Sequence, residues 1–228
     1  MRDDSNRVVF CKKCEDTGVY FHNGMTYRCQ CQRAHNAENR RKYSGLPAFT
    51  EREMLAVTRD YIMNYSILRT SATNWLVYMG RSGCGKSTQA FMVVDALLRR
   101  REPVYARVHY YPELVRELSS LRFDTARYED RLDELMEPEL LLLDDFLDVV
   151  PKSESFEEQI ALSFIKRRYQ LRKPLIITTE VLPSTFQKLM PRHCEALLGR
   201  IYEMAQGHLE IATANAPNYR FKRAEATV

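Results

Sequence analysis

The chain has 228 residues, of which 45% are apolar and 28% charged, and a formal net charge of +4. That length suits one α/β domain plus a small appendage, and that apolar share excludes wholesale disorder. No apolar run reaches the ~18 residues of a membrane span, and the first residues lack the apolar stretch of a secretory signal, so the expected location is cytoplasmic, without a membrane partner.

Residues 1–45 hold nine Lys/Arg against five acids, a net of +4 that accounts for the whole excess. A basic end of this kind suits nucleic acid or an acidic partner, and an ordinary solvated surface would look the same. In this segment Cys11-x2-Cys14 is followed, 14 residues later, by Cys29-x-Cys31. A reducing compartment disfavours disulfides, while two close thiolate pairs joined by a turn-rich interval fit a tetrahedral Zn²⁺ site. The same four ligands would also suit an iron–sulfur cluster. So short a segment has little core, and the metal would supply its folding free energy. A basic run predicted to be helical, Arg33 to Tyr43, ends at the breaker cluster Ser44-Gly-Leu-Pro47. The chain therefore divides into a zinc-binding module, residues 1–45, and a main domain, residues 46–228.

From there the pattern alternates. A helix is predicted over Glu51 to Arg69, a strand over Trp75 to Met79, a helix over Lys86 to Arg101, and a strand over Val104 to His109. Helices follow at Pro112 to Leu121 and Ala126 to Met136, then a strand at Leu140 to Leu143 and a helix at Phe156 to Leu171. A strand at Leu175 to Thr179, helices at Ser184 to Met190 and His193 to Ala205, and a strand at His208 to Ala212 complete the set. Short apolar strands separated by helices predict an α/β fold with a parallel sheet covered on both faces.

Gly80-x4-Gly85-Lys86-Ser87 closes one predicted strand and opens a predicted helix, the context that identifies a phosphate-binding loop. Its glycines let successive amide N–H groups turn inward around phosphate oxygens, and the helix N-terminus adds its positive end. Gly80, Ser82, Gly83, Cys84, Gly85, Lys86, Ser87 and Thr88 are thus the expected ATP/ADP contacts. Lys86 would reach the β/γ phosphates and the Ser87 hydroxyl would ligate Mg²⁺; Cys84 is read as a small filler rather than a nucleophile. The strand at Leu140 to Leu143 ends in Asp144-Asp145. Strand ends beside such a loop are where a metal-holding aspartate sits. Asp144 is expected to hold Mg²⁺ and Asp145 to polarise the attacking water.

Three further stretches carry a family resemblance. Ile176-Ile-Thr-Thr179-Glu180 resembles the sensor-1 strand of AAA+ ATPases. Leu197-Leu-Gly-Arg200-Ile-Tyr-Glu-Met resembles the segment bearing their arginine finger. Asn218-Tyr219-Arg220 resembles a short Ser-Tyr-Arg close whose arginine serves as a sensor-2 equivalent. With the phosphate loop and Ser44-Gly-Leu-Pro-Ala-Phe49, the chain resembles the DnaC/DnaI-type replicative helicase loaders and the related IstB-type transposition ATPases. The resemblance implies a P-loop AAA+ core without a full lid, ATP hydrolysis completed by assembly, and Arg200 acting on a neighbour's γ-phosphate. It also implies Thr179 as sensor 1, with Thr178 and Glu180 as alternatives, and Arg220 on the nucleotide. Asp145 stands where the family usually has Glu, and Glu180 where it often has Asn.

The implied function is loading of a DnaB-type hexameric helicase onto single-stranded DNA by an ATP-dependent spiral of subunits, the zinc module gripping the helicase. The segment from Pro112 to Arg127 matches the position of an extra helical wedge in the initiator/loader clade, where Arg116, Arg122 and Arg127 would face DNA phosphates. Two rival readings remain: an IstB-type ATPase acting on duplex DNA, and a zinc-ribbon DNA-binding adaptor that keeps ATP as a structural ligand.

Overall fold

The computed structural model describes residues 19–22, 25–28, 54–98, 104–147, 156–190, 192–212 and 216–219. Two strands, β1 (Val19–His22) and β2 (Met25–Arg28), form an antiparallel pair with Val19 opposite Arg28 and His22 opposite Met25. The four zinc-candidate cysteines, the predicted helix from Arg33 to Tyr43, the breaker cluster and Arg220 lie outside the described residues.

The main domain then runs α1 (Ala56–Leu68), β3 (Leu76–Met79), α2 (Lys86–Leu98), β4 (Ala106–Tyr110), α3 (Tyr111–Ser120), α4 (Thr125–Met136) and β5 (Leu140–Asp144). It continues through α5 (Phe156–Gln170), β6 (Leu175–Thr179), α6 (Pro183–Leu189), α7 (Cys194–Met204) and β7 (Leu209–Ile211). Five strands form one sheet in the order β4-β5-β6-β3-β7, and every pairing is parallel.

Alternation along the strands explains why the sheet is covered twice. Leu76, Tyr78, Leu140, Leu142 and Ile176 pack with Tyr61 and Tyr65 of α1 and Val93, Val94 and Leu97 of α2. Val77, Met79, Leu141, Leu143 and Ile177 face the other way, onto apolar residues of α3 to α7. A strand buried on both faces must be apolar at every position, which is what Leu140 to Leu143 and Leu175 to Ile177 provide.

Arg168 of α5 is wholly buried, yet every described contact of its guanidinium is a backbone carbonyl. It donates to Pro174 O (2.7 Å), Pro138 O (2.8 Å), Glu139 O (2.7 Å) and Met136 O (3.2 Å). These carbonyls lie where α4 ends, β5 begins and β6 begins, so one side chain ties three elements together. Burial lowers its pKa to about 10, with the nearby Tyr65, Tyr61 and Glu139 acting in the opposite direction, so it is cationic at neutral pH.

The predicted helix from Glu51 begins at Ala56. Leu55 is extended, at φ −62° and ψ 149°, and its amide donates to Gln89 Oε1 rather than into a helical turn. Among the described residues no helix is long and apolar enough to cross a membrane.

Candidate functional site

The strand order places β3 between β6 and the edge strand β7, so the turn after it opens one strand in from the sheet edge, beside the C-terminal ends of its neighbours. That is where open parallel sheets bind ligands. Gly80, Gly83 and Gly85 all have positive φ, at 145°, 80° and 94°. A Cβ at Gly83 would also run into the Asn218 side-chain amide, which would have to move. The loop runs into α2, so the first-turn amides of that helix point toward the turn.

Lys86 is 7% exposed. Its Nζ donates to Gly80 O at 2.8 Å and to Arg81 O at 3.0 Å, and lies 3.8 Å from Glu180 Oε1. Ser87 and Thr88 follow in the first turn of α2.

The acid pair closes β5 one strand beyond β6. Asp144 is 7% exposed, and the buried Thr178 hydroxyl donates to its Oδ1 at 2.7 Å. Thr178 Oγ1 also accepts the backbone N–H of Asp145 at 2.9 Å. Asp145 has φ 55°, a left-handed conformation that aspartate tolerates better than most residues. One hydroxyl thereby holds the Asp144 carboxylate and the Asp145 backbone. Asp144 Oδ1 accepts from Thr178, and the carboxylate keeps lone pairs with which it could hold a cation or its water. This donor set fits Mg²⁺, a hard ion that keeps several waters and takes one or two protein oxygens. Among the described residues no group of three or more His, Cys, Asp or Glu is placed to hold a metal.

Thr179 is differently placed from Thr178. Its hydroxyl donates to Phe146 O at 2.7 Å and accepts the N–H of Val181 at 3.0 Å, and it is wholly buried. The structure brings Thr178 to the acids and Glu180 to the loop lysine, while Thr179 secures the chain after each strand. Arg200 is half-buried on α7 and does not line the cavity beside the phosphate loop. Its guanidinium sits 5.5 Å from the centroid of the Tyr169 ring, and its Nη1 donates to Ala196 O.

Sequence reasoning singled out Asn218-Tyr219 by resemblance but missed how residues 216–219 wall the loop. Tyr219 N–H donates to Gly83 O at 2.9 Å, Asn218 Nδ2 lies 3.4 Å from Ser82 O, and Arg81 donates to Ala216 O. A cavity of about 260 Å³ opens beside the loop, lined by Leu55, Tyr78, Cys84, Lys86, Gln89 and Tyr219 among others. Its floor is ordered by a chain of hydroxyls: Tyr78 and Thr58 are 2.6 Å apart, and Thr58 donates to Gln89 Oε1 at 2.7 Å. Burial pushes the Tyr78 phenol well above its usual pKa, which keeps it a neutral donor. The only sequence signal for this wall was the Asn218-Tyr219 pair; nothing in Leu55 or Gln89 marks them in isolation.

No family model matches the chain, and no curated protein matches it in sequence. Solved structures do match in shape. A DnaC helicase loader superposes with a TM-score of 0.55 at 22% identity, covering 68% of this chain and 86% of that one. DnaI gives a TM-score of 0.54 at 19% identity, with 72% and 81% covered. The replication initiator DnaA, bound in that structure to AMPPCP and single-stranded DNA, gives 0.52 at 18% identity; 75% of this chain covers 48% of that one. The five-stranded parallel sheet, its flanking helices and these superpositions together show the α/β fold of the AAA+ P-loop domains of DnaC and DnaA.

Proposed function

We propose that this chain is an ATPase that loads a hexameric replicative helicase onto single-stranded DNA. What carries the reading is the placement of Lys86 after β3 and of Asp144, held by the Thr178 hydroxyl, at the end of β5 in the same sheet, on a fold shared with DnaC and DnaI. A phosphate loop alone needs only glycines and a lysine. An acid fixed by a buried hydroxyl beside that loop is what a hydrolytic site adds.

In this reading the loop amides and Lys86 hold the phosphate chain, and Ser87 and Asp144 hold Mg²⁺. Mg²⁺ held there would supply charge neutralisation to the phosphate chain. Asp145 orients the attacking water and receives its proton, positioned by its amide bond to Thr178. The cavity bordered by Leu55, Gln89 and Tyr219 takes the nucleoside. Arg200 completes the site of a neighbouring subunit, Arg220 contributes to nucleotide binding, and Cys11, Cys14, Cys29 and Cys31 hold Zn²⁺ in the helicase-docking module.

The test is phosphate release from Mg·ATP by the full chain, alone and with the hexameric replicative helicase and single-stranded DNA, together with a pull-down of that helicase. Turnover that rises with assembly, and ATP-dependent capture, are expected. Capture should fail for a chain lacking residues 1–45; persistent binding by that truncation refutes docking through the zinc module. Zinc content of the purified full chain should be about one ion per chain, as four thiolates imply, and should be lost on Cys29→Ser.

A further inference from the structure

Glu180 is the residue the phosphate-loop argument does not use. It follows β6 directly, and the β3–β6 register pairs Met79 with Thr179, so Glu180 is set level with Gly80. The Gly80 N–H donates to Thr179 O at 3.1 Å and fixes that placement. Its carboxylate therefore reaches the loop lysine, with Oε1 3.8 Å from Lys86 Nζ, although the side chain is 39% exposed. Lys86 thus donates to two backbone carbonyls and has the Glu180 carboxylate as an ion-pair neighbour beyond hydrogen-bond distance.

We propose that Glu180 sets which nucleotide this site prefers, by competing with the terminal phosphate of a triphosphate for Lys86. This inference rests on the phosphate loop binding nucleotide, as proposed above. A phosphate chain seated on the N-terminus of α2 meets Lys86 at its far end, beside the strand ends that carry Asp144 and Glu180. A third phosphate thus brings its negative charge against a fixed carboxylate, and must take Lys86 from it. A diphosphate also meets Lys86 through its β-phosphate, but it lacks the third phosphate's charge beside Glu180. Specificity against a ligand is commonly built by such a repulsive element. Partial exposure and salt screen the repulsion, so its effect is modest rather than prohibitive.

The prediction is read as a ratio. Binding of Mg·AMPPCP and Mg·ADP is measured by titration calorimetry for the full-length protein and for Glu180→Gln, which removes the charge and keeps the shape. Glu180→Asn serves as a second variant. Both should tighten AMPPCP by about threefold to fivefold while leaving ADP within about twofold, a size set by one screened charge pair. Raising the salt should shrink the difference between wild type and variant. Equal changes in both nucleotides, or none, overturn the proposal. So does a variant whose affinities are unchanged but whose ATP turnover is lost, since Glu180 would then act on the water and not on Lys86. If neither nucleotide binds the wild type, the ATP-site reading itself fails. Binding with an unaltered ratio defeats this inference alone.

Discussion

The hydroxyl of Thr178 donates to Asp144 Oδ1 at 2.7 Å and accepts the amide of Asp145 at 2.9 Å, so a single buried oxygen on β6 holds the Asp144 carboxylate and the Asp145 backbone at the end of β5. Replacing it tests whether the pair is a working site. Thr178→Val keeps the shape, removes the donor from Asp144 and strands the Asp145 N–H. Losing one partner of a buried hydrogen-bonded group costs about 1–3 kcal/mol. Urea unfolding should show a loss of that size. ATP turnover should fall by more than the tenfold that about 1.4 kcal/mol of lost positioning would give. Thr178→Ser should recover most of both. Normal turnover in the valine variant would mean the acids are held by something else.

The second prediction concerns the loop and the segment against it. Gly83 has φ 80°, and an alanine Cβ would meet the Asn218 side chain. Gly83→Ala should cost about 1–2 kcal/mol from backbone strain alone, with a further loss from the clash. Asn218→Ala in the same chain should remove only the clash. A double-mutant cycle on unfolding free energy should give a coupling of about 0.5 kcal/mol or more, as expected for residues in contact. Strict additivity would show that residues 216–219 do not lie on the loop in solution.

How much of this was legible in the sequence follows from distance along the chain. The strand at Leu140 to Leu143, the loop at Gly80 to Ser87 and the helix–strand alternation are local patterns, and they were read directly. The helix read from Glu51 was placed too early because periodicity does not reveal that the Leu55 amide is held by Gln89, 34 residues away. The division of labour among Thr178, Thr179 and Glu180 is equally non-local. Which residue of that strand faces Asp144, Phe146 or Lys86 depends on β6 lying between β5 and β3, an order no periodicity encodes. Arg168 sits among apolar positions of a helix, and only the fold reveals the four carbonyls it satisfies. The cysteine pairs were legible as a ligand pattern, and their geometry lies outside the described residues.

Arg168 supplies the third prediction. Arg168→Met fills similar volume but removes the guanidinium from the carbonyls of Pro138 and Glu139, while Met136 O keeps Lys173 Nζ and Pro174 O keeps the Leu141 N–H. Arg168→Lys keeps the charge and loses the planar fork that reaches several carbonyls at once. Each should destabilise the fold by about 1–3 kcal/mol, the range for leaving a buried polar group without its partner. Chemical denaturation gives the measurement. A loss below about 1 kcal/mol in both variants would show that the carbonyls find water instead.

Arg200 supplies the fourth. Its guanidinium lies over the Tyr169 ring, which Arg172 also approaches at 4.6 Å, and the Tyr169 hydroxyl is held by Glu203 at 2.9 Å. That packing alone is worth about 0.5–1 kcal/mol for a partly exposed pair, so Arg200→Ala should be close to wild type in stability. Its Nε is buried without a hydrogen-bond partner among the described residues, so this guanidinium is incompletely satisfied within its own chain. If a neighbour's phosphate completes it, turnover per chain should rise with protein concentration in the wild type and stay flat in Arg200→Ala. Affinity for AMPPCP should not change. Arginine fingers contribute about 10³–10⁵ to turnover where they act, so a real finger leaves a loss far larger than any packing defect. Unchanged concentration dependence in the variant would reduce Arg200 to a residue that packs on Tyr169.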